Sequence, residues 1–591
     1  MLKNALQSVR LTHISLALVG LMWVFPFLHY RHEYPLTTFD QEWWSAMLGV
    51  FALILLATRD YWRQPEIPRI AQLPAALIAI ALMQLLLNKI AYIDQGLLYI
   101  LYLLFAALLM LLGARLRACF GIEKLAVVLA VFLLIGAELS ALIGVLQHFR
   151  WRTPLDAVIV MKTAATVFGN LAQPNHFANY IALGLVSLGL LFQQNRVKAR
   201  YVVLLALPLL FVMTLSGSRS SWLYLLMMSA LAWWWSRRDT QQRPLLRYSL
   251  SLIAGFVLMH LVVKLPFMSG AASSVDTMQR LFGDDVSGGI RLYLWHEAGL
   301  MFAQSPWLGA GFGQFAWQHF QLLPVLHPGN ISGLYNNSHN LVFQFAAEAG
   351  LAGLLALFGS LGVWLYGMRR ATLGAAQWWG HAALGVLAIH SLLEYPLWYT
   401  YFVAVAAILL GALDETHYRL ELRNVGRMSV LAMLLLGLMT LIQLRSGYRQ
   451  LKDTLVTGPA SANAVAAFEH TRDGLIAVHE GSLLSPYAEL FMSSLTEVDD
   501  DHLKEKLALN SRVVRFIPMA PVVYRQAFLL AQNGQLEQAK LALTQAIWSY
   551  PQNAEAQAQL VSLAEKDPVH FSALLEFALQ KEQEHNLAVH Q

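Results

Sequence analysis

Charge is what this 591-residue chain has least of: Asp, Glu, Lys and Arg make up 13% of it, against about 25% in an ordinary soluble domain. That is too little to cover a water-facing surface, so lipid is expected to solvate most of the molecule. Cysteine is almost missing. With Cys119 alone an intramolecular disulfide is excluded, and its loop is expected on the cytoplasmic side of a membrane. The sequence has no P-loop, no dinucleotide-type glycine motif and no HExxH, and its histidines lack the spacing of a zinc site. Neither ATP, a metal nor any other cofactor is therefore expected. The 41 basic residues outnumber the 36 acidic ones but form no stripe or tract, which removes nucleic acid from the expected partners.

What the chain does have is apolar sequence: 57% hydrophobic residues and a mean hydropathy of +0.50. Runs close to the roughly 20 residues that cross a bilayer occur at 12–30, 43–58, 70–87, 97–113, 125–147, 175–194, 201–216, 220–235, 248–265, 340–367, 376–393, 398–413 and 428–445. They predict an all-α polytopic protein of about 12–13 transmembrane helices. The first run is long, contains Pro26 and lacks a small-residue exit, so it is expected to stay as an anchor.

Basic residues orient these spans. With Lys3 and Arg10 inside, every second loop is basic, from Arg59, Arg63 and Arg69 through Arg237, Arg238, Arg243 and Arg247 to Arg419, Arg423 and Arg427. The other loops hold fewer cations: Arg31, Lys89, Arg150, Arg152, Lys162, Arg219, Lys264, Arg280 and Arg291. The bias predicts that 148–174, 216–220, 265–339 and 394–398 face outside, as does everything after 446. Two domains are expected: a membrane domain over 1–445 with a long external loop at about 265–339, and a polar, Ala- and Gln-rich helical domain over 446–591. In the latter, Tyr524, Ala527, Gly534, Ala539, Ala546 and Pro551 match one tetratricopeptide-like unit, and an ordinary helical hairpin is the plainer alternative.

Outside cations run against the bias, so chemistry is sought there. Gly169 to Tyr180 carries Gln173, Asn175 and His176 at a helix start, more polar groups than a cap requires. Ser216-Gly217-Ser218-Arg219-Ser220-Ser221 is a short turn where an arginine and a helix N-terminus favour phosphate, or a tight hairpin with a snorkelling arginine. Arg291 shares a helix face with Leu294, Trp295 and Ala298. An amphipathic helix on the membrane surface is the plainer reading, and such a helix could also bring a two-point guanidinium fork to a pyrophosphate. His339, between Ser338 and Asn340, is a candidate proton acceptor because imidazole titrates near neutrality. Glu348, on one continuous helix with His339, would face away from it at about 100° per residue. Glu394, in the segment His390 to Tyr399, is the more plausible partner of His339.

Taken together, the SGSRSSW turn, the Arg291 segment followed by Gly309-Ala310-Gly311, and the run from Ser338-His339-Asn340 to Glu348-Ala349-Gly350 resemble the bacterial O-antigen ligase and polymerase superfamily over roughly residues 165–413. GNLAQPNHFANY, HSLLEYPLWYTYF and the added helical tail resemble its protein O-oligosaccharyltransferase branch, the PglL type. The resemblance implies an inner-membrane enzyme with a periplasmic site and tail. It would move a preassembled glycan from undecaprenyl pyrophosphate to Ser or Thr of pilins or other periplasmic proteins. It implies Gln173, Arg219, Arg291, His339 and Tyr395 as site residues. Arg219 and Arg291 would hold the pyrophosphate and His339 would take the hydroxyl proton, with inversion at the anomeric carbon. Gln173, Asn175, His176, Asn340, Glu394 and Tyr395 are the expected substrate-binding set. Glycan polymerisation, ligation to lipid A core, and transport of the lipid-linked glycan remain as alternative functions.

Overall fold

The computed structural model describes residues 2–161, 165–268, 286–327, 331–457 and 464–589. Lys162 and Arg280 lie outside the described residues, as do parts of the long loop 265–339. Each apolar run falls on a helix: Leu2–Met22, Phe39–Ala52, Gln72–Leu86, Ile93–Phe120, Ile122–Phe149, Pro174–Gln193, Ala199–Leu215, Ser220–Arg238, Arg243–Val262, Leu341–Gly367, Ala375–Ser391, Thr400–Leu413 and Arg423–Thr457. The chain is a multi-pass membrane protein. Among the described residues, 8 helices are long and apolar enough to cross a bilayer by length and composition, fewer than the thirteen runs. The reason is partly that some helices are short and enclosed by others. Thr400–Leu413, of 14 residues, is buried almost throughout. Gly113 and Gly411 bring its backbone against that of Ile93–Phe120, where a Cβ on Gly411 would stand 1.9 Å from the Met110 carbonyl oxygen. Small residues permit such contact, which dispersion forces reward.

Loops that alternate along the chain gather at two opposite ends. At one, Glu66–Pro68 pairs antiparallel with His417–Arg419, a small strand ribbon that apolar periodicity did not predict, and Arg117 holds Glu415 at 2.8 Å. Gln194 donates to Glu123 at the same end. At the other, His32 meets the Asn170 carbonyl at 2.7 Å, Thr400 N–H donates to Glu42 at 2.7 Å, and Val167 N–H to Leu215 O at 3.1 Å.

The long loop is built of helices. In Val286–Gln304, Leu294, Ala298 and Met301 are buried against Phe315, Leu322 and Ala347. That face packs on protein and not on a membrane surface, contrary to the interfacial-helix alternative. Leu341–Gly367 is broken at Gly350 (φ 62°), a left-handed turn suited to glycine. Segment 306–311 crosses this break, with Leu351 N–H donating to Pro306 O at 2.7 Å and Ala310 N–H to Ala347 O at 2.9 Å. Glu348 accepts the Phe315 N–H at 3.1 Å and so caps the start of Phe315–Leu326. Its role here is structural.

The tail folds as successive helix pairs. Ala520–Gln532 and Leu536–Ser549 turn at Gly534 (φ 72°), and Ala527, Ala539 and Ala546 form the close-packed seam. Its core takes in Phe320 from the long loop. Tyr92 O–H donates to Glu489 at 2.6 Å, Lys452 pairs with Glu33 at 2.5 Å, and Gly333 N–H donates to Ser549 O at 2.7 Å. The tail therefore sits at the end of the bundle that carries Arg291 and His339.

Candidate active site

Four sequence-distant segments converge on one carboxylate. Glu394 lies just past Ala375–Ser391, its N–H bonded to His390 O at 2.8 Å, and is 4% exposed. Its Oε1 accepts from Arg291 Nη2 at 2.6 Å and from Asn175 Nδ2 at 2.8 Å. Its Oε2 faces His339 Nδ1 at 2.9 Å. Burial pushes the Glu394 carboxyl up, but the His339 hydrogen bond and the charges of His339 and Arg291 outweigh it and hold the group below the usual carboxylate range. An ionised Glu394 places the His339 proton on Nδ1 and turns Nε2 outward as an acceptor.

Local structure explains how His339 is presented. Asn340 is the N-cap of Leu341–Gly367, its Oδ1 accepting from Val342 N–H at 3.0 Å and Phe343 N–H at 3.3 Å, while its Nδ2 donates to Leu392 O at 3.0 Å. His339 therefore precedes the helix, so the geometry of one continuous helix through His339 and Glu348 does not apply. Its backbone is left-handed, at φ 52°, an uncommon conformation for a non-glycine residue and one that collects at functional sites. Asn337 Oδ1 accepts its N–H at 3.1 Å. Trp295, one turn beyond Arg291, donates to Ser338 O at 3.0 Å. Ser338 N–H in turn donates to Gln344 Oε1 at 2.7 Å.

The remaining expected residues surround this junction in different ways. Gln173 is the N-cap of Pro174–Gln193, its Oε1 accepting the His176 N–H at 2.5 Å, so capping falls to Gln173 and not to Asn175 or His176. Asn175 serves Glu394. His176 is 2% exposed and ringed edge-on by His390, Tyr395, Tyr399 and Phe402, so it props Tyr395 from behind. The Tyr395 ring stands 5.3 Å from that of His339. Burial, then the nearby Glu394 charge, raises its hydroxyl pKa.

Arg219 occupies the N-cap position of Ser220–Arg238, after the turn at Gly217 (φ 64°). Among the described residues, the buried Ser218 and Ser221 hydroxyls have no protein partner. One turn inward, Tyr224 O–H meets His390 Nδ1 at 3.0 Å, which ties the Arg219 helix end to the helix leading to Glu394. This Tyr224–His390 link was not expected. His390 stands in the HSLLEYP stretch, but nothing in the sequence marks Tyr224 as its partner.

Three family descriptions match consecutive parts of the chain. "Protein glycosylation ligase" covers 167–192, with Gln173, Asn175 and His176. "O-Antigen ligase" covers 204–358, with Arg219, Arg291, His339 and Asn340. "Virulence factor membrane-bound polymerase, C-terminal" covers 378–565, with Glu394, Tyr395 and much of the tail. A "General O-oligosaccharyltransferase" of Acinetobacter baylyi is 25% identical over 451 residues, 73% of this chain and 76% of that protein. Together these matches support an O-oligosaccharyltransferase of the O-antigen ligase superfamily. A second relative from the same organism, a "ComP-specific O-oligosaccharyltransferase", is 23% identical over 375 residues, 63% of this chain and 66% of that protein. The three matched stretches meet in space at Glu394, which joins residues from each of them.

Proposed function

We propose that this ligase-superfamily protein is a glycosyltransferase that moves a preassembled glycan en bloc from a lipid-linked donor to a protein acceptor. The observation that carries the reading is the Glu394 junction, where a carboxylate orients the His339 imidazole and engages the Arg291 guanidinium at once. In detail, the donor is undecaprenyl pyrophosphate glycan and the acceptor a Ser or Thr hydroxyl of a pilin or another periplasmic protein. The protein sits in the bacterial inner membrane, with the junction and the tail facing the periplasm. Domain limits of 1–445 and 446–591, with tetratricopeptide-like pairing in the tail, belong to the same reading.

His339 Nε2 takes the proton of the acceptor hydroxyl as its oxygen attacks the anomeric carbon. The new carbon–oxygen bond forms as the bond to the pyrophosphate oxygen breaks, and displacement from the opposite face inverts the centre. Arg219, the unpartnered Ser218 and Ser221 hydroxyls and the free nitrogens of Arg291 stabilise charge on the departing pyrophosphate. Asn175 and His176 act by holding Glu394 and Tyr395, while Gln173 and Asn340 fix the helix starts that present them. No metal enters these steps.

Relatives bearing the O-oligosaccharyltransferase name favour a protein acceptor, while the polymerase-type match over 378–565 favours glycan extension as the second reading. Purified enzyme, a defined lipid-pyrophosphate glycan and candidate acceptors separate the two by intact mass. Addition of one glycan mass to a protein is expected. Growth of the lipid-linked glycan with no protein modified would overturn the reading.

A further inference from the structure

Close to this site lies a second histidine–glutamate pair that the mechanism above does not use. Glu297 sits less than two turns beyond Arg291 on the same helix, and His319 lies on Phe315–Leu326. His319 Nδ1 and Glu297 Oε2 are 2.7 Å apart, and both side chains are 0% exposed. His319 Nε2 faces the Gly333 carbonyl oxygen at 3.3 Å, and the edge of Tyr335 closes over the ring, with centroids 5.5 Å apart. One ring nitrogen faces a carboxylate oxygen and the other a carbonyl oxygen, so the two contacts fix the imidazole in orientation.

The placement of the two partners gives the pair its meaning. Glu297 belongs to the helix that carries Arg291. Gly333 belongs to the short segment that ends in His339, and its N–H is held from the other side by Ser549 O of the tail at 2.7 Å. Removing one partner of a buried polar pair leaves the other unsatisfied, so such pairs are costly to keep for packing alone.

We propose that His319 is a positioning residue of the transfer reaction, holding the Arg291 helix and the His339 segment in one register through its two ring nitrogens. This rests on the roles given above to Arg291 and His339. Each arm then has its own kinetic signature. Releasing Glu297 loosens the helix that presents the guanidinium to the donor, whereas releasing Gly333 loosens the segment that presents the base.

Asparagine and glutamine at position 319 separate the arms, because the amide nitrogen of Asn stands near Nδ1 and that of Gln near Nε2. His319→Gln keeps Gly333 and loses Glu297; it is expected to raise the donor KM about 10-fold with kcat largely retained. His319→Asn keeps Glu297 and loses Gly333; it is expected to lower kcat roughly 10- to 100-fold with the donor KM retained. Rates are taken per folded, monodisperse enzyme in detergent or nanodiscs. If both variants match the wild type, or if both change only the yield of folded protein, or if kcat and KM move together in both, the proposal is overturned. Should neither variant fold, Glu297→Gln reads the helix arm alone, and an unchanged donor KM there overturns it equally. His339→Ala and Arg291→Ala run alongside as controls. If they remain active the proposed mechanism fails, whereas if they are inactive while the His319 variants behave as wild type, only the positioning role fails.

Discussion

Glu394 and Glu489 have nearly the same surroundings and different positions. Glu394 gathers Arg291, His339 and Asn175. Glu489, in the tail, gathers Arg512 at 2.8 Å, His479 at 3.1 Å and the Tyr92 hydroxyl at 2.6 Å. Both carboxyls are lifted by burial and then held below their usual range, Glu394 by His339 and Arg291, and Glu489 by Arg512 and Tyr92. The difference lies beyond the donors. Around Glu394, the histidine is strained at φ 52°, and the neighbouring Arg219 turn ends in a helix N-terminus. Around Glu489, the third donor is a loop residue of the membrane part, so the cluster is a joint. A set of charged residues becomes a candidate site when a potential proton acceptor and a helix N-terminus stand beside it.

That contrast breaks first, if it breaks, at the histidines. His339→Ala is expected to lower the transfer rate roughly 10²- to 10⁴-fold, whereas His479→Ala leaves it unchanged, both measured by acceptor mass shift with purified enzyme. Equal losses would erase the distinction. Next come the carboxylates themselves. Glu394→Gln removes the charge that fixes the His339 tautomer, and a fall of about 10- to 100-fold in kcat is expected. Glu489→Gln should leave kcat per folded molecule intact while costing about 1–3 kcal/mol of stability, seen as a lower unfolding temperature.

Acid gives a smaller and shared effect. Because both carboxyls have depressed values in the folded state, their stabilisation is complete above the unfolded value of about 4.3 and is lost as pH falls through the lower folded values. The unfolding temperature should therefore drop below about pH 4, and less steeply in Glu489→Gln. The smallest expected effect is that of a chelator. Both oxygens of Glu394 already face donors, so EDTA should leave the rate unchanged, and a loss restored by a divalent cation would refute the metal-free chemistry.

Arg219 and Arg291 were legible because they stand apart from the basic loops that recur along the chain, and His339 because it stands among amides at a helix start. Apolar periodicity located the helices for the same reason: lipid imposes a length that a chain must repeat. It could not say what covers a given face. Leu294, Ala298 and Met301 show the same spacing whether they meet lipid or, as here, Phe315 and Ala347, so the surface-helix expectation for Arg291 failed. His176, next to Asn175, reads as another polar residue of the same segment, yet a rotation of about 100° turns it from the Glu394 side into the core. Pairs such as Arg291 with Glu394 or Glu297 with His319 carry no local signature, since they are made only when separate helices pack. The opposite-face geometry for His339 and Glu348 assumes one continuous helix, whereas Asn340 is the N-cap and His339 lies before it.

Phe320 has an implication for how the molecule is assembled. It leaves the ribosome long before the helices 520–549 whose interior it completes, so an apolar side chain of the long loop must wait for its partners. A protein cut short after the last span would carry that side chain bare, and the severed tail would lack one side chain of its core. Synthesis of the final helices is thus the event that covers this segment, so late truncations are expected to spare membrane insertion and to damage the finished fold.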